Sequence, residues 1–80
     1  YHFYAKTGTI NEQQSGRKSS RRLILTIADK DLTQAEHIGK ARVYALYFVT
    51  DNTQDFDWNL IYEIIDQTIQ SKSFKQYFQP

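Results

Sequence analysis

The nine residues Arg42 to Thr50 constrain this chain more than any others. Val43, Ala45, Tyr47 and Val49 alternate with Tyr44, Leu46 and Phe48, so an extended strand here has no polar face. A half-solvated strand would alternate apolar with polar, so this run predicts an interior strand of a sheet covered on both sides, the core of the chain. Arg22 to Ala28 reads in a similar way. Leu23, Leu25 and Ile27 share one face and Ile24, Thr26 and Ala28 the other, a strand largely buried on both sides. His2 to Ile10, rich in aromatic and β-branched residues, predicts a further strand, and the polar stretch Asn11 to Ser20, with Gly16 and three serines, predicts a loop after it.

The helical signals come later. Thr33 to Ile38 has the makings of a short helical turn ended by Gly39, inside a polar connection from Asp29 to Ala41. Asp51-Asn52-Thr53 breaks the third strand. Asp55 or Asp57 then caps a helix in which Trp58, Ile61, Ile64, Ile65, Thr68 and Ile69 recur at one-face spacing. Ser71 to Pro80 reads as a polar tail whose Phe74, Tyr77 and Phe78 are available to pack back. The expected fold is α+β: a three-stranded antiparallel sheet with a C-terminal amphipathic helix, residues 1–80 forming a single unit.

A chain of 80 residues buries a limited fraction of its surface and is marginally stable alone. With no cysteine it has neither a disulfide framework nor a thiolate metal site, and a net charge of +1 implies neither nucleic acid nor an anionic membrane as partner. The longest strongly apolar stretch, Val43 to Val49, is far too short for a transmembrane helix. The chain opens on Tyr1 and contains no methionine, so it is expected to be a processed, trimmed or excised piece of a longer product.

On the first strand stands Lys6-Thr7-Gly8-Thr9. Side chains alternate along a strand, so Thr7 and Thr9 share one face while Lys6 and Gly8 share the other. Two hydroxyls two positions apart can grip one anionic group, with the Lys6 ammonium as a compact charge nearby. Gly8 lets an extended ligand lie against the strand and pair with its backbone. The tetrapeptide, followed by two strands and a closing helix, resembles the C-terminal part of the penicillin-binding, D,D-peptidase and β-lactamase superfamily (the transpeptidase fold), whose third signature motif is Lys-Thr-Gly. The resemblance covers nearly the whole chain in element order and positions 6 to 9 in exact motif.

The resemblance implies specific roles. Thr7, Gly8 and Thr9 would bind the terminal carboxylate of a D-Ala-D-Ala peptide or of a β-lactam. Lys6 would serve catalysis by aiding proton movement, and the Thr9 backbone N–H would be one of two oxyanion-hole donors, each stabilising developing charge by roughly 3 kcal/mol. It also implies an extracytoplasmic location (periplasm or cell envelope) and action on peptidoglycan. The partners implied are the N-terminal remainder of the same protein and a cell-wall peptide or β-lactam; pairing of two copies through an exposed strand edge is a further expectation. No cofactor and no metal are expected, since His2 and His37 have no partner at ligand spacing.

The chain departs from the family in one respect. The family's Ser-x-x-Lys and Ser-x-Asn motifs precede the Lys-Thr-Gly strand, and neither can precede residue 6 here. Ser15-Gly16-Arg17-Lys18 matches Ser-x-x-Lys formally, but it follows the strand in a glycine- and serine-containing loop, and no Ser-x-Asn occurs. The chain alone is therefore expected to be inactive.

Other features have plainer readings. Arg17, Lys18, Arg21 and Arg22 read as a solvated hairpin loop, Trp58 and Tyr62 as core, and Tyr1, Phe3 and Tyr4 as either strand core or cleft wall. The alternative function is a non-enzymatic α+β module that binds nucleic acid or a protein partner through its basic loop and aromatics.

Overall fold

The computed structural model describes residues 1–10, 20–51 and 55–79. Three strands of nine residues, β1 (His2–Ile10), β2 (Ser20–Ala28) and β3 (Val43–Asp51), are followed by helices α1 (Trp58–Gln70) and α2 (Lys72–Tyr77). The strands form one antiparallel sheet in the order β1-β2-β3, with Lys6 opposite Ile24 and Ile24 opposite Tyr47. This is the expected fold class. Directly opposed residues share a face, so the register sorts every side chain onto one of two sides. Leu23, Leu25 and Ile27 lie on the side covered by the helices, level with Thr7, Ala5 and Phe3 of β1 and with Phe48, Leu46 and Tyr44 of β3.

The core belongs to β2 rather than to β3, which corrects the expectation drawn from Val43–Val49. Leu23, Leu25, Ile27 and Ala28 are buried, joined by Ile61 and Phe74 from the helices, whereas no residue of β3 is buried. In this sheet β3 has a neighbour on one side alone. The physical reason is that two runs, each apolar on both faces, present the same periodicity. Position in the meander decides which of them is flanked on both sides, and that is β2. Its second face is also less covered than its pattern suggests, since Ile24 stays exposed.

Asp57 starts α1: its Oδ1 accepts from the Leu60 N–H at 3.1 Å, satisfying one of the orphan donors of the first turn. The stripe then turns Ile61 inward, with Ile64, Ile65 and Thr68 half-buried along it. At the end of α1 the Ser71 hydroxyl donates to the Thr68 carbonyl at 2.6 Å and accepts from the Phe74 N–H at 3.3 Å, ending one helix and capping the next. The segment read as a polar tail is thus largely helical. Its Phe74 is completely buried, with Tyr1, Tyr44 and Phe78 rings 5.2, 5.3 and 4.7 Å away. Burial on that scale stabilises by about 1.5–3 kcal/mol, and Tyr77 and Phe78 add ring contacts to Tyr44 and Tyr1, so three aromatic residues fold back an otherwise polar segment.

The connection Asp29 to Ala41 folds onto the opposite side of the sheet. It carries a 3-10 turn at Ala35–His37, and Gly39, at φ +88, follows it, as the residue pattern predicts. The Tyr4 hydroxyl accepts from the Leu32 N–H at 2.8 Å and donates to the Asp31 carboxylate at 3.3 Å, pinning the connection to β1.

Candidate functional site

β1 forms one edge of the sheet, and an edge strand turns half of its backbone N–H and C=O groups away from its neighbour. Thr7 and Thr9 point to the helix side and Lys6 and Gly8 to the other, as alternation requires. On the helix side, Thr7, Gly8 and Thr9 line an open cleft of about 670 Å3 together with Arg21, Asp55, Phe56 and Trp58. Register places Arg21 beside Thr9, and its guanidinium forms an ion pair with the Asp55 carboxylate. The Phe56 and Trp58 rings lie 5.9 Å apart.

Lys6 borders a smaller hollow of about 320 Å3 with Thr7, Gly8, Thr9, Arg22, Ile24 and Tyr47. There Arg22 donates to the Ser20 hydroxyl at 3.3 Å and to the Tyr47 hydroxyl, and its guanidinium carbon lies 5.8 Å from the Tyr47 ring centroid. The structure therefore brings Thr7, Gly8 and Thr9 into one cleft, while Lys6 stands on the other side of the same strand edge. Gly8 borders both hollows. A Cβ added to it would meet no atom of the described residues within 4 Å, and its φ is not positive.

The basic cluster is divided. Arg21 and Arg22 belong to β2, not to a loop, and strand alternation sends them to opposite sides of the sheet, the first against Asp55 and the second over Tyr47. Arg17, Lys18 and Ser15 lie outside the described residues. Trp58 and Tyr62 are not core: they are 46% and 64% exposed, because they sit on the flank of the stripe centred on Ile61. Trp58 instead walls the cleft. Reasoning from periodicity missed Asp55, Phe56 and Trp58 as cleft residues, and the signal available was the position of Asp55 and Phe56 just ahead of a helix cap.

The remaining candidates are structural. Tyr1 packs edge-on against Phe74 and Phe78, and Tyr4 ties down the connection. Asp31 organises that connection. Its carboxyl is held below the ordinary value of 3.8 by hydrogen bonds from the Thr33 hydroxyl (2.6 Å) and backbone N–H (3.0 Å), against partial burial and with help from Tyr4 and the charge of His2. His37 Nδ1 donates to the Asp31 carbonyl at 2.8 Å. Among the described residues no three His, Cys, Asp or Glu side chains are grouped to hold a metal ion, and no helix is long and apolar enough to cross a membrane.

The architecture and the edge cleft define a small antiparallel α+β unit with a hydroxyl-bearing strand edge. Compared with protein-family models, with curated proteins and with solved structures, the chain matches none.

Proposed function

We propose that Lys6–Thr9 is the carboxylate-binding and oxyanion strand of a penicillin-recognising serine acyl transferase or hydrolase acting on peptides that end in D-Ala-D-Ala outside the cytoplasm, the attacking serine being supplied from beyond these 80 residues. The observation that carries this reading is Gly8. Glycine inside a strand is destabilising by roughly 0.5–1 kcal/mol, and here neither backbone conformation nor close packing among the described residues calls for it. The open space over Gly8 suits a ligand that must approach the backbone of β1. An extended peptide that adds to the sheet edge passes Gly8, whose open side is that of Lys6, and sets its carboxylate on the helix side between the Thr7 and Thr9 hydroxyls, its attacked carbonyl directed at the Thr9 N–H. Lys6, across the strand edge, contributes a positive charge to the same anionic ligand.

The test is an NMR titration of the isotopically labelled chain with diacetyl-Lys-D-Ala-D-Ala and with its C-terminal amide. The acid is expected to shift the Thr7, Gly8 and Thr9 amides and the amide form to leave them unmoved. Loss of the Thr7 hydroxyl in Thr7→Val weakens the response to the acid by about tenfold, the usual scale of a hydrogen bond to a charged group. Equal shifts from both peptides, shifts confined to other strands, or none at all overturn the reading.

A further inference from the structure

We propose that β3 is a dimerisation edge: it pairs antiparallel with β3 of a second copy of this chain, the two-fold axis passing beside Tyr47, so that two three-stranded sheets become one of six. Sheets guard their open edges with charge, proline or a cover. From Val43 to Thr50 β3 carries no charged residue and no proline, and Val43, Tyr47 and Val49 are exposed. The other edge, β1, brings a lysine and two threonines and is the one assigned above to a peptide ligand.

Backbone hydrogen bonds fix the register. The Asp29 N–H donates to the Arg42 carbonyl at 3.3 Å, which continues the β2–β3 ladder and turns Arg42 and the even positions after it towards β2. Val43, Ala45, Tyr47 and Val49 therefore direct their N–H and C=O groups away from the sheet. Val43 is already engaged, since its N–H donates to the Tyr77 hydroxyl at 3.3 Å. Ala45, Tyr47 and Val49 remain, and one two-fold pairing uses all three in both copies: Tyr47 opposite Tyr47, and Ala45 opposite Val49.

The side chains suit that register. On the face away from the helices, small Ala45 meets branched Val49. On the helix side, Leu46 of the second copy falls opposite Phe48, at a groove of about 350 Å3 beside the edge that Leu60, Ile61 and Ile64 of α1 also border. Leu60 is 51% exposed in the single chain, and an apolar side chain arriving from a neighbouring strand removes it from water. Asp51, the one charged residue of β3, lies opposite Val43 at either end of the ladder, so the two carboxylates stay apart. Area points the same way. The chain exposes 6094 Å2, whereas a compact monomer of 9.5 kDa exposes about 5,000 Å2. The difference matches the roughly 800 Å2 that each partner gives to a stable interface.

The test begins with the mass of the 80-residue chain by light scattering at the concentrations used for NMR, where twice the 9.5 kDa chain mass is expected. Val49→Pro removes an outward N–H without touching the β2–β3 ladder, and it should weaken association about tenfold or more, since two hydrogen bonds are lost per dimer. The chain has no cysteine, so single cysteines report the register. Tyr47→Cys places two Cα atoms about 5.5 Å apart, within disulfide reach, and should cross-link on mild oxidation. Ala45→Cys places them roughly 14 Å apart and should not. A monomeric mass, a dimer that Val49→Pro leaves intact, or cross-linking of Ala45→Cys as readily as of Tyr47→Cys overturns the proposal. The carboxylate reading stands or falls separately, because Thr7 and Thr9 lie on the opposite edge: Val49→Pro should leave the peptide-induced shifts of their amides unchanged.

Discussion

The two ends of the helix-covered sheet face use the same kind of residue to opposite effect. At the end where β1 begins, Tyr1, Tyr44, Phe74, Tyr77 and Phe78 form a continuous set of ring contacts, with Phe74 completely buried among them. At the end where β1 finishes, Phe56 and Trp58 stand beside an open cleft. The difference arises because α1 starts at the cleft end and leads to α2 at the other, so a second helix closes one end and not its opposite. Aromatic content alone therefore says little about function; what matters is whether a following element arrives to cover the ring.

The largest effect that could break this comparison is Phe74→Ala. It should destabilise the chain by about 3–5 kcal/mol in urea unfolding, and a loss below about 1 kcal/mol would show that the closed end is not what holds the helices down. Asp57→Ala, which removes the cap of α1 at the cleft end, should cost about 1 kcal/mol and lower helicity by circular dichroism without altering the packing around Phe74.

A smaller effect sits on the opposite side of the sheet. Because the Asp31 carboxyl is held below 3.8 in the fold, its contribution is present above that value and is lost as pH falls through the lowered one. Asp31→Asn should therefore flatten the decline of the urea midpoint below pH 4 while leaving its slope above pH 5 unchanged. An identical acid limb in both proteins would remove Asp31 from the account. Trp58→Ala should have the smallest effect, within about 0.5 kcal/mol, because the residue is 46% exposed and lies outside the buried set; a loss of several kcal/mol would make the cleft end part of the core after all.

Much of the fold is legible in the residues themselves. β-branched and aromatic runs predict all three strands to within two residues, and a cap at Asp55 or Asp57 with the Ile61, Ile64, Ile65 stripe predicts α1, for which the structure uses Asp57. What periodicity does not contain is the neighbour relation between elements. It cannot rank β2 above β3 as the core strand, since both are apolar on both faces, and it reads Arg21 and Arg22 as one patch although a strand separates adjacent side chains by the thickness of the sheet. The site divides in the same way. Thr7 and Thr9 sharing a face follows from alternation, whereas Asp55 meeting Arg21 across 34 positions follows only from the closed fold.

The meander has a consequence for the order in which the chain acquires its shape. Every strand pairs with its neighbour in sequence, so the sheet can assemble by successive hairpin closures, which are fast events on the scale of microseconds. Its cover is not local in the same sense. Leu23, Leu25 and Ile27 wait for Phe74, which comes only after the whole of α1. During synthesis from the N-terminus a finished sheet with a bare apolar face precedes its lid, and that interval is when the nascent chain is most exposed to aggregation and to chaperone capture.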